Sequence, residues 1–328
     1  MLFLIITTII FLLLGAYLLF LKFGKATPAK QITYGVSYSP EYAEKLGFDS
    51  KKLFSKIVTE LNFKQIRIPT YWDRVQPAEN KYDFSEVDFM LEEAQKNGVE
   101  VLLVVGYKQP VWPECRAPKW AMEKPLTQKR ESLLLYIEET VKRYKDHPAV
   151  FAWQVENEPL LLFGENCDPP SRDFLKKEVE IVRHLDSKKP IVITDSGELR
   201  GWVTPMQLSD IFGTTMYRSV YNPLVGTFNW PIPPIFYTLK SELVHKLFAP
   251  GNEKTIIVEL QTEPWAQDAL TLTPIDKQTS LFSVQKFKDN VEYAKGTGFD
   301  TIYLWGVEWW YYISERGHPE YLNYAKTL

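Results

Sequence analysis

The sequence predicts an α/β protein, a (β/α)8 TIM barrel preceded by one N-terminal transmembrane helix. Three observations point there. From residue 31 onward, short apolar runs of strand length alternate with segments whose apolar residues recur every three and four positions. Eight such runs, each followed by a crossover, fill the length of one barrel domain. Ahead of them, residues 2–21 carry no charge. At 1.5 Å per residue that run can cross a hydrocarbon core of about 30 Å.

The strands read in order as TYGVSY (33–38), QIRIP (65–69), VEVLLVV (99–105), VFAWQV (150–155), PIVIT (190–194), DIFGTTM (210–216), TIIVE (255–259) and TIYLW (301–305). Between them SKKLFSKIVTEL, DFSEVDFMLEEAQKNG, RESLLLYIEETVKRY, SRDFLKKEVEIVRHL and SVQKFKDNVEYAKGTG read as helices. Asp49 and Ser50 open the first, Gly98 closes the second and Gly298 follows the last. A doubly wound open sheet is the competitor, but GVSYSPEYAEKLG after the first strand is not the Gly-rich phosphate turn that such a sheet needs. The expected domains are an anchor over 1–22, a polar linker over 23–32 and the catalytic barrel over 33–328. A cleaved leader is the alternative to the anchor, with a weak cleavage site at 24–26. No basic residue precedes the apolar run, and the run is long for a leader.

With 328 residues, 45% of them hydrophobic, and a net charge of −3, the chain can bury a large core and carries no basic block to hold nucleic acid. Aromatic residues reach 14%, which fits either core filling or a pocket that stacks flat ligands. The four histidines, at 147, 184, 245 and 318, are scattered without metal-ligand spacing, and there is no GxSxG elbow. No cofactor is expected.

In a barrel of this type chemistry gathers at the C-terminal strand ends. There the sequence places Ser37 and Tyr38, Arg67 with Tyr71 and Trp72, Tyr107, Asn157 and Glu158, Asp195, Tyr217, Glu259 and Trp305. In WQVENEP (153–159), an acidic cluster ends a buried strand, where charge is costly unless paired or used. Glu158 and Glu259 end strands four and seven, on opposite sides of one mouth. Such a pair is what glycoside hydrolysis requires: one carboxyl protonates the leaving oxygen and the other attacks the anomeric carbon or activates water. Glu263 competes with Glu259 for the second role. Glu156 reads as a buried salt-bridge or hydroxyl partner, and Asp195 as a substrate ligand or a helix cap.

WQVENEP resembles the Asn-Glu-Pro motif of the large clan of retaining glycoside hydrolases on TIM barrels, the cellulase-like and β-galactosidase-like families. IIVELQTEPW is similar to that clan's strand-seven segment, and QIRIPTYWDRVQPAENKYDFSEVDFMLEEAQKNGVEV to its strand-two region. The resemblance implies that Glu158 is the acid/base and Glu259 the nucleophile, with Arg67 supporting the latter. Hydrogen bonds from Tyr217 would keep Glu259 ionised, Asn157 would donate to the sugar 2-hydroxyl, and Trp305 would form the floor of the sugar site. Trp72 is placed with the substrate-binding residues. The expected partner is an oligo- or polysaccharide, met by a monomer. The alternative function is an inactive, membrane-tethered carbohydrate-binding barrel.

Cys115 and Cys167 lie in the loops after strands three and four, which are neighbours in the barrel, and a disulfide is expected between them. Such a bond, like a polymeric substrate, sets the barrel outside the cytoplasm. Lys22, Lys25 and Lys30 oppose that side by the positive-inside rule.

Overall fold

The computed structural model describes residues 24–251 and 254–328. Eight parallel strands close a barrel: β1 (Thr33–Ser37), β2 (Gln65–Pro69), β3 (Glu100–Val105), β4 (Val150–Val155), β5 (Ile191–Asp195), β6 (Ile211–Met216), β9 (Lys254–Gln261) and β10 (Thr301–Trp305). Between the sixth and seventh barrel strands lies an antiparallel hairpin, β7 (Ser219–Asn222) with β8 (Gly226–Asn229). The barrel closes where β1 pairs with β10, from Thr33 opposite Thr301 to Ser37 opposite Trp305. Every predicted barrel strand is present within two residues of its expected bounds. The predicted apolar span over residues 2–21 lies outside the described residues. Among those described, no helix is long and apolar enough to cross a membrane.

Alternation along the strands divides the core in two. Leu102, Ala152, Val192, Ile256, Val258 and Tyr303 meet inside the barrel. Their neighbours Leu103, Trp153, Ile193, Ile257 and Leu304 face outward and pack beneath the helices with Leu53, Phe54, Ile137, Val182 and Phe287. Position 35, on the inner face, has no room for a side chain, since the Tyr303 ring comes within 2.8 Å of where a Cβ would stand. The first predicted helix starts where the sequence signals it, with Asp49 accepting the Lys52 amide at 3.0 Å. Ser283 caps the last in the same way, accepting the Lys286 amide at 3.3 Å.

The helices Pro234–Phe248 and Val307–Ser314 are additions to the expected set. The second is buried at seven consecutive positions from Val307 to Ile313, so it has no polar face whose period a sequence could display.

Cys115 and Cys167 are joined, with their Cα atoms 5.2 Å apart and a separation of 52 along the chain. Closing a loop of that length removes entropy chiefly from the unfolded chain. Replacing both cysteines by serine is expected to lower the unfolding free energy by about 2–4 kcal/mol, read from urea melts of the oxidised and substituted proteins.

Candidate active site

Arg67 stands on the inner face at the centre of the mouth and is 1% exposed. Its Nη1 donates to Glu259 Oε1 at 2.6 Å and to Ser37 Oγ at 3.4 Å. Nε donates to Gln154 Oε1 and Nη2 to Asn157 Oδ1, both at 2.7 Å. One guanidinium thus ties together residues from β1, β2, β9 and the end of β4. Tyr217 closes the other side of the carboxylate, donating its hydroxyl to Glu259 Oε2 at 2.8 Å. Burial beside Glu259 holds that phenol protonated, far above its usual range.

Strict alternation would turn Glu259 outward, because Val258 already faces inward. The pairing of β9 with β6 slips at this point: Thr214 stands opposite Ile257, whereas Thr215 stands opposite Glu259. A matching slip against β10 lies between Ile302 and Leu304. The bulge sets Val258 and Glu259 both inward and returns Leu260 to the outer layer.

At the end of β4, left-handed backbone does the same work. Glu156 has φ +61° and Glu158 φ +45°, so the chain from Gln154 to Glu158 leaves the period of two. Asn157 and Glu158 turn inward. Glu158 accepts Thr215 Oγ1 at 2.9 Å on its Oε1, and its amide donates to Thr194 Oγ1 at 2.8 Å. Desolvation first, then the charges of Glu259 and Glu114, hold the Glu158 carboxyl well above the ordinary glutamate range. Among the described residues Glu156 forms no salt bridge; its side-chain partner is the buried carboxyl of Glu178, which burial and the Glu156 charge hold well above the ordinary glutamate range. The two Glu156 oxygens accept the amides of Tyr107 and Lys108 at 2.6 and 2.5 Å. Gly106, at φ +122°, leaves the room that this carboxylate fills.

The structure does not bring Trp72 to the mouth. It is 0% exposed, stacks on Tyr136 with ring centroids 5.8 Å apart, and donates its indole N–H to Gln76 at 2.8 Å. The turn after β2 rolls into the helix Trp72–Val75, which sends this side chain beneath the loop. Trp305 does reach the mouth, where with Ser37, Tyr38, Ser39, Arg67 and Glu308 it lines a narrow cleft. Its indole is fixed by Glu263 Oε1 at 2.9 Å, and Tyr42 donates to the other oxygen at 2.9 Å. Glu263 therefore sits at the same mouth as Glu259, but on Tyr42 and Trp305 rather than on Arg67. Asp195 caps no helix, since the next one, Val203–Leu208, begins after Trp202. Its Oδ1 accepts the Ser196 amide at 3.1 Å.

Several residues of the mouth escaped the sequence reading. Lys108 is buried, donates to the carbonyls of Glu158 and Leu161 at 3.1 Å each, and pairs with Glu114 at 3.1 Å. Glu308 accepts the Ser39 amide at 2.5 Å, and Glu198 accepts the Tyr217 amide at 3.1 Å and the Tyr237 hydroxyl at 2.7 Å. A lone carboxylate inside the apolar run GVEWWYY was the available signal for Glu308. Among the described residues no cluster of His, Cys, Asp or Glu is arranged to hold a metal.

Fold and site define the class: a closed parallel barrel with Glu158 and Glu259 at its mouth, the second gripped by an arginine and a tyrosine. Residues 38–189 match the model of glycoside hydrolase family 42, described as beta-galactosidase. A beta-galactosidase of Geobacillus sp. strain Y412MC61 is 25% identical over 181 residues, covering 48% of this chain and 26% of the relative. The chain thus spans about a quarter of the length of the curated relatives it matches. In architecture it resembles a beta-galactosidase of the psychrophilic Marinomonas ef1, with TM-score 0.60 and 15% identity, covering 83% of this chain and 54% of that one. It also resembles xylanase 10B of Thermotoga maritima, with TM-score 0.56 and 17% identity, covering 84% of this chain and 83% of that one. These matches bear out the resemblance to the TIM-barrel clan of retaining glycoside hydrolases. The family match ends before β9, so Glu259 stands on its geometry.

Burial pushes Glu114, Glu198 and Glu263 up to about 7 and Glu308 to about 8. These groups are neutral in both folded and unfolded chains below about pH 4.5. Between there and their folded values the unfolded chain ionises first, so stability is lost as pH rises through that window. The unfolding free energy at pH 5 is expected to exceed that at pH 8 by on the order of a few kcal/mol, measured by urea denaturation across that range.

Proposed function

We propose that this chain is a membrane-anchored, retaining β-glycosidase in which Glu158 is the acid/base and Glu259 the nucleophile. The observation that carries the proposal is the hydrogen-bond network that spans both carboxyls. Arg67 binds Glu259 and Asn157, next in sequence to Glu158, while Thr215, opposite Glu259 on β6, binds Glu158. The anchor is the apolar run over residues 2–21, and the Cys115–Cys167 bond favours a barrel outside the cytoplasm.

The two carboxyls occupy environments that drive their roles apart. Glu158, its proton retained by burial and by like charges, delivers that proton to the glycosidic oxygen. Glu259, held between the Arg67 cation and the Tyr217 hydroxyl, attacks the anomeric carbon as a carboxylate. Forming the glycosyl ester neutralises Glu259. That removes one of the charges raising Glu158, which then takes a proton from the water that cleaves the ester. Asn157 Oδ1 already receives Arg67 and, at 3.3 Å, Thr194. Its NH2 is therefore the end offered to the sugar 2-hydroxyl. Oxocarbenium character develops in a mouth rich in carboxyl groups, where positive charge is welcome.

Glu259→Gly is expected to reduce turnover by several orders of magnitude. Azide should then yield a glycosyl azide of inverted configuration, identified by NMR. Azide rescue of Glu263→Gly, with Glu259→Gly still active, would reverse the assignment. Glu158→Ala should slow alkyl glycosides far more than dinitrophenyl glycosides, whose leaving group departs without a proton. Equal losses across a leaving-group series would remove Glu158 from the acid role.

A further inference from the structure

The helix Pro234–Phe248 is apolar on two sides and covered on one. Ile235, Tyr237, Ser241 and Val244 are buried against the barrel. On the outer side Leu243 is 57% and Leu247 58% exposed, one turn apart, with Phe248 beside them at 48%. A helix in the outer layer of a barrel ordinarily turns polar residues to that side. Apolar side chains left exposed singly mean little, but neighbouring ones mark a surface that meets something.

This helix lies low on the barrel, by the strand ends opposite the mouth. Thr238 Oγ1 donates at 2.6 Å to the carbonyl of Thr297, just before β10. The hydroxyls of Ser241 and of Thr255, at the start of β9, are 2.7 Å apart. Gln207, just before β6, donates to the Phe248 carbonyl at 2.9 Å. The N-terminal segment arrives at the same rim. Ala26 and Thr27 fill the space where a side chain at Gly298 would stand, next to Thr297. Ile32 packs on the core, and the Thr33 amide donates to the Asp300 carbonyl at 2.8 Å. The uncharged run ends at Leu21, so the chain from there to Ala26 reaches at most about 18 Å even when fully extended. Whatever medium receives that run is thereby held close to the rim on which the helix lies.

We propose that the face formed by Leu243, Leu247 and Phe248 docks on the interface of the lipid bilayer that the anchor over residues 2–21 enters, with the mouth turned away from the lipid. The occupant is a bilayer and not another protein because the tether is too short to let the barrel stand clear of the membrane. Exposed Lys25, Lys30 and Lys246, against Glu242 as the one carboxylate of the helix, suit anionic headgroups while the leucines enter the acyl boundary. The substrate is then a glycan met in the water and not a headgroup of the same bilayer. The docking rests on the anchor reading above, and the two are tested separately.

The test uses the full chain with single substitutions Leu243→Cys, Leu247→Cys, Leu135→Cys or Leu162→Cys, each labelled with a nitrobenzoxadiazole dye. Leu135, 58% exposed, lies on the helix Leu126–Tyr144, and Leu162, 84% exposed, in the loop after β4 beside the mouth. The proteins are reconstituted in vesicles of phosphatidylcholine and phosphatidylglycerol that carry a spin-labelled lipid as quencher. The quencher should remove at least about half of the emission at 243 and 247, and less than about a tenth at 135 and 162. Resistance of the membrane-bound chain to alkaline carbonate reports the anchor independently. No quenching at 243 and 247 in protein that resists carbonate would overturn the docking and leave the anchor standing. Quenching at both positions in protein that carbonate releases would uphold the docking and overturn the anchor. Quenching strongest at 162 would set the mouth against the lipid and overturn the docking. A disulfide between two copies of the unlabelled Leu247→Cys protein, without lipid quenching of the labelled one, would make this face a contact between copies and overturn it as well.

Discussion

The mouth of this barrel is organised around the charge of Arg67. A guanidinium with 1% exposure is held against a large desolvation cost only if its donors are used and its charge is met. Here the donors go to four side chains, and the charge is met by Glu259. Removing one member of such a buried pair typically costs about 3–5 kcal/mol, because the other is left uncompensated. The same contacts fix Asn157, and through the next residue the placement of Glu158. One cation thus joins Glu259 directly, and Glu158 through its neighbour Asn157, to the ends of β1, β2, β4 and β9.

That demand explains why regular strand geometry breaks where it does. A period of two turns successive side chains to opposite faces, so a strand that stays regular cannot aim two adjacent residues inward. The bulge on β9 and the left-handed residues at the end of β4 are the two departures. Positive φ at Glu156 and Glu158 costs on the order of 1–3 kcal/mol each. The Tyr107 and Lys108 amides on Glu156, and Thr194 with Thr215 on Glu158, oppose that cost. Strain sits at the candidate site because the site needs directions that an unstrained strand does not supply.

The same physics decides what could be read from the sequence. The eight barrel strands are apolar runs covered on both faces, and this makes them conspicuous; QIRIP and TIYLW match their strands residue for residue. Asp49 was legible because capping is local. The hairpin Ser219–Asn229 was not, because its register is held by a distant side chain: Gln261 bonds both the amide and the carbonyl of Ser219, at 2.9 and 2.7 Å. Trp72 went astray for a related reason. A residue three positions past a strand end can turn toward the mouth or roll under the loop, and packing against Tyr136 and Trp120 settles it. Strand ends name candidates for the mouth, but only long-range contacts choose among them.

Electrostatics joins the inner site to the outer loops. Within the mouth the buried cations Arg67 and Lys108 face Glu114, Glu158 and Glu259. With fewer cations than carboxyls, at least one proton is retained, and Glu158 is raised by both Glu259 and Glu114. Glu114 immediately precedes Cys115, and its partner Lys108 grips the carbonyl of Glu158. The loop clamped by the Cys115–Cys167 bond therefore supplies part of the field that holds the Glu158 carboxyl above the ordinary range. The bond lies outside the mouth, yet it holds the loop that carries the charge beside Glu158. Loosening it would move the charge of Glu114 and its Lys108 partner relative to Glu158, and that coupling gives a disulfide on the rim a consequence beyond loop stability.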